Sequence, residues 1–589
     1  MPIDSLDALL QRIAETGDAV GRSVSNLAIP AADLAGQQLE DFSFHDANLG
    51  QVVFSGAAMA RACFNNCILS DADFSKVQAP DALLVNANAS SACFDEANLS
   101  GLRAANNPTP VAVPGDATEG FGELDIPEAT LVKLAERGVA GFIAGSSDFS
   151  GARFHRATLS GAVFDRIDLR KSVFSAANLE AAQFLNCQLS GAQFAAAQLE
   201  GTQFIDCALT GAGFREAHIA RTRFFNTVVD DVDFSQLRAF PAQFSQCRFE
   251  ACRFGAQDFG GAVLHECVFQ GCEMLDVRLN GADIVATEFI DSYLADSKWD
   301  SRQLNDLDFS GADLRGASFR GAELSGVDFS GALLDEASFA GALLVDCVFT
   351  EAQLRRADLQ QVTVIASELD LVNVEAADFR GAQFQECALV GIDFSSLQLG
   401  GNVFRLCDLS ETRLSGLELP QCDFTDCDFS RADLSASRFD GGVFTQANFT
   451  GAVLQGASMK SVTATAANFS EAEVGGVEFA SSQLDCTMFT GAKAVSADFG
   501  GCSLERAMFQ HANCQGTRFD GALLRYADLA WANFDQASFV NASLVQANLH
   551  MAESSTATWT GADTTNIDPT DEHRAYAEQW QPPDSNVAQ

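Results

Sequence analysis

Residues 306–344 read DLDFS GADLR GASFR GAELS GVDFS GALLD EASFA GALL, and every fifth residue, from Phe309 to Leu344, is Phe or Leu. Working outward from that stretch, the large residues keep to positions ending in 4 or 9. From Phe149 to Trp559 only Ala239, Ala464, Ala494, Cys514 and Ser554 in those places are not Phe, Leu, Ile, Val, Met or Trp. Two residues before each such centre sits a small one, usually Ala, Cys, Ser, Thr or Val. An earlier run with the same spacing extends from Val24 to Leu99. Neither the 3.6-residue period of an amphipathic helix nor the alternation of a simple strand reproduces a strict repeat of five. A short fixed period of this kind signals a solenoid, in which each unit buries its apolar face only by stacking on its neighbours.

Composition agrees with a single repeated niche, because the chain has 48 Phe but only 3 Tyr and 4 Trp. In places 20 residues apart, Phe holds the positions ending in 4 from Phe154 to Phe254. The rings then move to Phe309, Phe319, Phe329, Phe339 and Phe349. Residues 20 apart are therefore expected to stack as ladders, with large rings on opposite sides of the section and smaller side chains between them.

The unit resembles the A-(D/N)-L-x-x motif of the pentapeptide-repeat family, and the resemblance covers about nine tenths of the sequence. It implies an all-β solenoid, a right-handed quadrilateral parallel β-helix with four units per 20-residue coil. In that fold the centre and the small residue two before it point inward. The expected organisation is an N-terminal capping helix over 1–21, a first β-helix segment over 22–101, and an insertion over 102–143. A main β-helix over 144–561 and a polar C-terminal tail over 562–589 complete it.

The insertion breaks the rhythm most. Pro108, Pro110 and Pro114 make its first half a loop, and Pro127, Leu131, Leu134, Ala135 and Gly138 spell a short helix. The register modulo five is the same on both sides, which fits either a loop extruded at one corner or a seam between two solenoids. A second break is Ser292–Arg302, SYLADSKWDSR, where Arg302 fills a slot normally held by Ala. An unpaired Arg inside would cost several kcal/mol, so a bulge or bend is expected there. The ends are expected to be capped, at the N-terminus by the amphipathic Ser5–Thr16, because an open coil exposes core and unpaired backbone.

Charge and motifs bound the chemistry. With 79 acidic and 36 basic residues, a net charge of −43 opposes contact with nucleic-acid phosphates or anionic lipid. Neither direct nucleic-acid binding nor a membrane association is expected. No run approaches the roughly 20 apolar residues of a membrane span, and the N-terminal sequence carries acids instead of a signal peptide. A cytoplasmic location is expected. Most of the 17 cysteines fall at the small inward position, among them Cys387, Cys407 and Cys427, which should stack. They read as small buried residues in place of Ala, since no C-x-x-C pair occurs. Asp308, Asp313, Asp328, Asp423, Asp428 and Asp433 precede centres, so they point outward, where a carboxylate can bond turn backbone.

No catalytic fingerprint occurs, so no catalytic, cofactor-binding or metal-binding residue is assigned and no cofactor is expected. The expected function is that of a non-enzymatic scaffold or adaptor that binds protein partners through its faces, its insertion or its ends, with end-to-end pairing of two copies as a further possibility. The run DFSGADLRGASFRGAELSGVDFSG is similar to arrays in repeat proteins associated with bacterial type VI secretion, which implies a role in effector loading. The alternative is an acidic DNA mimic acting on gyrase or another DNA-binding protein. The dispersed acidity places that second.

Overall fold

A five-residue repeat with two inward side chains and one corner per unit closes on itself after four units, and the computed structural model has that geometry. It describes residues 5–15, 23–105, 147–238, 240–279, 281–397 and 399–579. Each coil of 20 residues has four faces, named here 1 to 4, whose centres lie 4, 9, 14 and 19 residues beyond a multiple of 20. Successive coils pair in parallel with a register of 20. On face 1, for example, Leu324 lies opposite Leu344, and on the other faces Asp308 meets Asp328, Asp313 meets Leu333 and Ser318 meets Ser338. The protein is an all-β parallel solenoid with very little helix.

The centres build the core. Phe154, Phe164, Phe309 and Phe329 are fully buried. Rings one coil apart stack nearly parallel, with centroids 4.8 Å apart for Phe154 and Phe174 and 5.3 Å for Phe309 and Phe329. Rings on opposite faces meet edge to face, as do Phe319 and Phe329 at 85°. Both geometries suit the aromatic quadrupole. The exception at Ala239 has its own remedy, since Phe240 is buried and its ring lies 4.2 Å from that of Phe259.

Corners explain the turn chemistry. The residue two after nearly every centre adopts a left-handed conformation, as in Gly316 at φ +68° and Asn186 at φ +53°. Gly bears this without strain, and Asn and Asp bear it better than most residues. At Gly316 the constraint is double, because an added Cβ would sit 2.5 Å from the Asp296 carboxylate. The outward Asp residues bond the turn as expected: Asp308, Asp328 and Asp428 each accept the amide of the Ser two residues on at 2.7–2.8 Å.

Four expected boundaries change. The insertion does not begin at Leu102, since Arg103–Ala105 is a face-1 strand that pairs with Leu83–Val85 on one side and Val163–Asp165 on the other. The described coils run through Ala105 and resume at Ser147, whose hydroxyl accepts the Ala87 amide of the coil before. The helix expected between Pro127 and Gly138 lies outside the described residues. Coiling does not stop at Gly561 either, because Asn548 bridges Asp568, and helix α2 (Glu572–Gln579) follows. Fully buried His550 holds α2: its Nε2 lies 3.0 Å from a Glu578 oxygen and its Nδ1 accepts the Asp571 amide. Helix α1 (Leu6–Glu15) is N-capped by Ser5 and buries Leu9.

Finally, the stretch expected as one segment over 144–561 is shared between two compact units, Met1–Tyr293 and Leu294–Gln589. The boundary falls within the second break in the repeat. Trp299 there is a buried centre, while Arg302 keeps its guanidinium half-exposed, over the Trp299 ring at 6.0 Å. A long side chain thus occupies a small-residue slot without burying its charge.

Candidate interaction face

The four faces are not equivalent, and the difference begins at the corners. On most of faces 2, 3 and 4, the residue three after a centre donates its amide back to that centre's carbonyl, as Ala312 does to Phe309 at 3.0 Å. Such a corner is tight, and each face is reduced to a single bridging residue. Face 1 has wide corners instead, and its centre and both neighbours run as three-residue strands. In the first unit these form a 12-stranded sheet from Ser23–Ser25 to Asp283–Val285; in the second they form a six-stranded sheet from Gln303–Asn305 to Val403–Arg405. Face 2 does the same only at Val228–Asp230, Arg248–Glu250 and Val268–Gln270.

A wide corner leaves the centre's carbonyl without its local donor, and a buried unpaired carbonyl is costly. The inward cysteines supply much of the answer. Cys187 Sγ lies 3.3 Å from the Phe164 carbonyl of the preceding coil, Cys207 3.3 Å from that of Phe184, and Cys387 3.4 Å from that of Val364. Thr227 and Thr287 do the same with hydroxyls. On face 2, Cys252 reaches Val229 and Ser292 reaches Phe269. Burial pushes the Cys347 thiol up to about 11 and that of Cys67 to about 12, so both remain protonated donors at neutral pH. The cysteines are therefore more than small fillers. All 17 are free thiols.

Strands at face 1 present two outward side chains per coil on a flat surface, and these carry little charge. Between Ser23 and Val285 the residues flanking face-1 centres include only Arg103, Asp165, Arg223 and Asp283 as permanently charged groups, and between Gln303 and Gln385 only Glu323. Apolar side chains stand there instead: Val163, Ile205, Phe225 and Val263 in the first unit, Leu343, Val345 and Ile365 in the second, each partly exposed. A shallow depression of about 240 Å³ beside Leu343 and Val345 is below the usual range of ligand pockets, roughly 300–1,000 Å³.

The remaining faces hold most of the charge, and many of their basic residues are paired with carboxylates. Asp335 and Arg355 meet across coils at 3.0 Å, as do Glu473 and Lys493 at 2.7 Å. Within a coil, Arg170 beside Asp168 holds its carboxyl below the usual carboxylate range. Arg315 does this for Asp313 and Arg380 for Asp378. Arginines thus interrupt the carboxylate rows. Among the described residues no group of three or more His, Cys, Asp or Glu side chains is placed to hold a metal ion, and no helix is long and apolar enough to cross a membrane.

Comparison with known proteins agrees with this architecture. A family model described as a pentapeptide repeat region matches residues 242–329 and 337–414. A second, described as pentapeptide repeats (8 copies), matches eight stretches between residues 32 and 553. No curated protein matches. Among solved structures, QnrB1, a plasmid-mediated fluoroquinolone resistance protein, is 19% identical over 32% of this chain and 93% of its own, with a TM-score of 0.21. HetL, a protein of heterocyst differentiation regulation from the cyanobacterium Nostoc sp. strain PCC 7120, is 21% identical over 46% of this chain and 87% of its own, with a TM-score of 0.13. A thylakoid-lumen protein from Arabidopsis thaliana is 26% identical over 20% and 82%, with a TM-score of 0.17. These likenesses are local, and nothing those proteins do is carried over to this one. With both family models on the repeat and a stack whose register follows it coil by coil, the chain belongs to the pentapeptide-repeat family.

Proposed function

We propose that this chain is a non-enzymatic scaffold that docks a protein partner on face 1. The observation that carries the reading is the low charge of that face in a chain whose net charge is −43. Interface cores are depleted in charge and enriched in large apolar and aromatic residues, and Phe225, Ile205 and Ile365 stand outward on flat strands in that manner. Contact there relies on shape and apolar area, so it should persist as salt rises, whereas exposed charge pairs are screened beyond about 8 Å at physiological ionic strength. A photo-crosslinking residue placed at Ile205 or Ile365 should capture a protein in the native host, one placed at face-3 Gln353 should not, and Phe225→Glu should abolish capture at the neighbouring Ile205. Equal capture from both faces would sink the reading.

Effector loading in type VI secretion is the finer form of this proposal. It is supported only by the similarity of the run 308–331 to arrays of that group. It stands if the crosslinked partner is a secreted effector or a secretion component, and falls if the partner is neither. DNA mimicry is disfavoured because Arg and Lys side chains divide the carboxylate rows of faces 3 and 4. Strong gyrase inhibition that vanishes at moderate salt would reverse that order.

A further inference from the structure

Two leucines stand where the core does not need them. Leu371 and Leu406 are the most exposed of the large aliphatic side chains among the described residues, at 62% and 53%. Each also holds a left-handed corner, at φ +58° and +55°, and among the described residues no Val, Ile or other Leu does so. In coils nearby, Gly311, Gly331 and Gly391 fill the corner position of Leu371, and Asp306, Gly326 and Asp346 fill that of Leu406. An apolar side chain gains nothing in water, and an L-residue other than Gly, Asn or Asp is strained in that conformation. Strain kept at an exposed position points to use in contact.

Both leucines border face 2 of the second unit. Leu371 lies at the corner where that face ends, and its amide donates to the Val390 carbonyl at 3.2 Å. Leu406 lies at the corner where the face begins, two coils further on, which is about 10 Å along the stack at the spacing of adjacent strands. Half-buried Val348, Ala388 and Val390 stand outward on the same face. The result is an apolar diagonal with a large side chain at each end. Its rim decides the partner. From Asp306 to Glu411 no Lys or Arg stands on face 2 or at its two corners, while Asp346, Glu351, Glu368, Asp370, Glu386 and Asp408 surround the diagonal. Among the described residues none of these is in an ion pair, whereas Glu411 meets Arg431 at 3.4 Å. Faces 3 and 4 interleave their carboxylates with arginines instead. Such a rim repels nucleic acid, anionic lipid and a second copy of the same face. It attracts cations, and the diagonal asks that they be carried beside apolar side chains. A basic amphipathic helix offers both, and its rise over seven residues, about 10 Å, matches the distance between the two leucines along the stack.

We propose that face 2 between Asp346 and Glu411 is a docking site for a basic amphipathic helix of another protein, with Leu371 and Leu406 as its apolar anchors and the carboxylates as its rim. The site lies off the strands of face 1 and does not rest on the reading given to them; either can fail alone.

Asparagine makes the test clean, because it suits a left-handed corner and carries little apolar surface. The double substitution Leu371→Asn and Leu406→Asn therefore removes the anchors while leaving the charge and the corners as they are. The probe is a fluorophore-labelled helical peptide of Leu and Lys, about 18 residues long with its leucines in one stripe, and its binding to the full chain is read by anisotropy at physiological salt. The double substitution should weaken binding about tenfold or more, while Leu523→Asn, at an exposed face-1 leucine of the same unit, should change it by less than about twofold. A peptide of the same composition with its leucines scattered around the helix should bind about tenfold more weakly than the striped one. Equal affinity of parent and double variant, or of the two peptides, would overturn the proposal by showing attraction to acid alone. The double variant should also unfold at the same denaturant concentration as the parent or a higher one, since it relieves two strained corners. A clear drop would show that the leucines serve the fold, and would count equally against docking.

Discussion

Within the second unit, residues 303–405 and residues 421–568 share a core and differ at one corner. Rings stack alike in both, 5.0 Å apart for Phe384 and Phe404 and 4.9 Å for Phe469 and Phe489. In the first stretch face 1 runs as three-residue strands with wide corners; in the second the face-1 corners are tight, and Ala447 and Ala507 donate back to Phe444 and Leu504 at 3.1 Å. The inward residue after the face-1 corner changes with it. The first stretch has Leu307, Val327, Cys347, Ser367, Cys387 and Cys407 there, and the second, beyond Cys427, mostly Ala. Volume is not the deciding property. A tight corner satisfies its own carbonyl, so a methyl is enough; at a wide one a side-chain donor from the next coil can take over, as Cys427 does for Phe404 at 3.3 Å. The wide corner in turn flattens the face and turns two side chains per coil outward, which is what makes face 1 a surface.

The comparison can be broken most sharply at the core. Phe384→Ala and Phe449→Ala should each destabilise by about 3 to 5 kcal/mol, measured by denaturant unfolding, because both delete a ring from a dry ladder. Unequal losses beyond the scatter of such measurements would mean that the two stretches do not share a core. A smaller effect sharpens the corner argument: Cys387→Ala should cost about 1 kcal/mol by leaving the Val364 carbonyl without its donor, and Cys387→Ser should recover much of it. Ala447→Cys should bring no gain, since the Phe424 carbonyl it would reach already accepts the Cys427 amide. Equal responses at the two sites would refute the link between donor and corner.

Outward positions come next. Ile365→Lys should change stability by no more than about 0.5 kcal/mol while removing partner capture, because it alters a solvent-facing side chain. The smallest effect concerns pH. Arg315 lowers the Asp313 pKa, so this pair stabilises the fold above the ordinary carboxylate range, and that contribution is lost as pH falls through the lowered value. Arg315→Gln should raise the Asp313 titration midpoint, followed by NMR, with scarcely any change in stability at neutral pH because such exposed pairs contribute little. An unchanged midpoint would show that the Asp313 carboxylate owes its low pKa to the turn amide alone.

Much of this was legible from residue types. The five-residue spacing placed Phe309 and Phe329 inside, Asp308 and Asp428 on the turns and Cys387 at an inward slot, because burial alternates with the same strict period in every unit. Ala239 stood out as an exception, but the burial of the adjoining Phe240 emerged only from the structure. The insertion's edge at Ala105 was not legible, since Arg103-Ala-Ala carries no large centre yet still pairs on both sides. The role of the cysteine thiols was likewise hidden, because the carbonyls they serve lie 23 residues earlier.

The sequence by itself determined the repeat, the inward and outward division and the family, because these follow from side chains five residues apart and need no knowledge of neighbouring coils. Only the tertiary structure decided which corners are wide, which face is flat and poorly charged, and where α2 joins the last coil through His550. Each of these depends on hydrogen bonds or contacts between neighbouring coils, and both corner types place the same side chains inward, so a pattern of period five is blind to the choice between them.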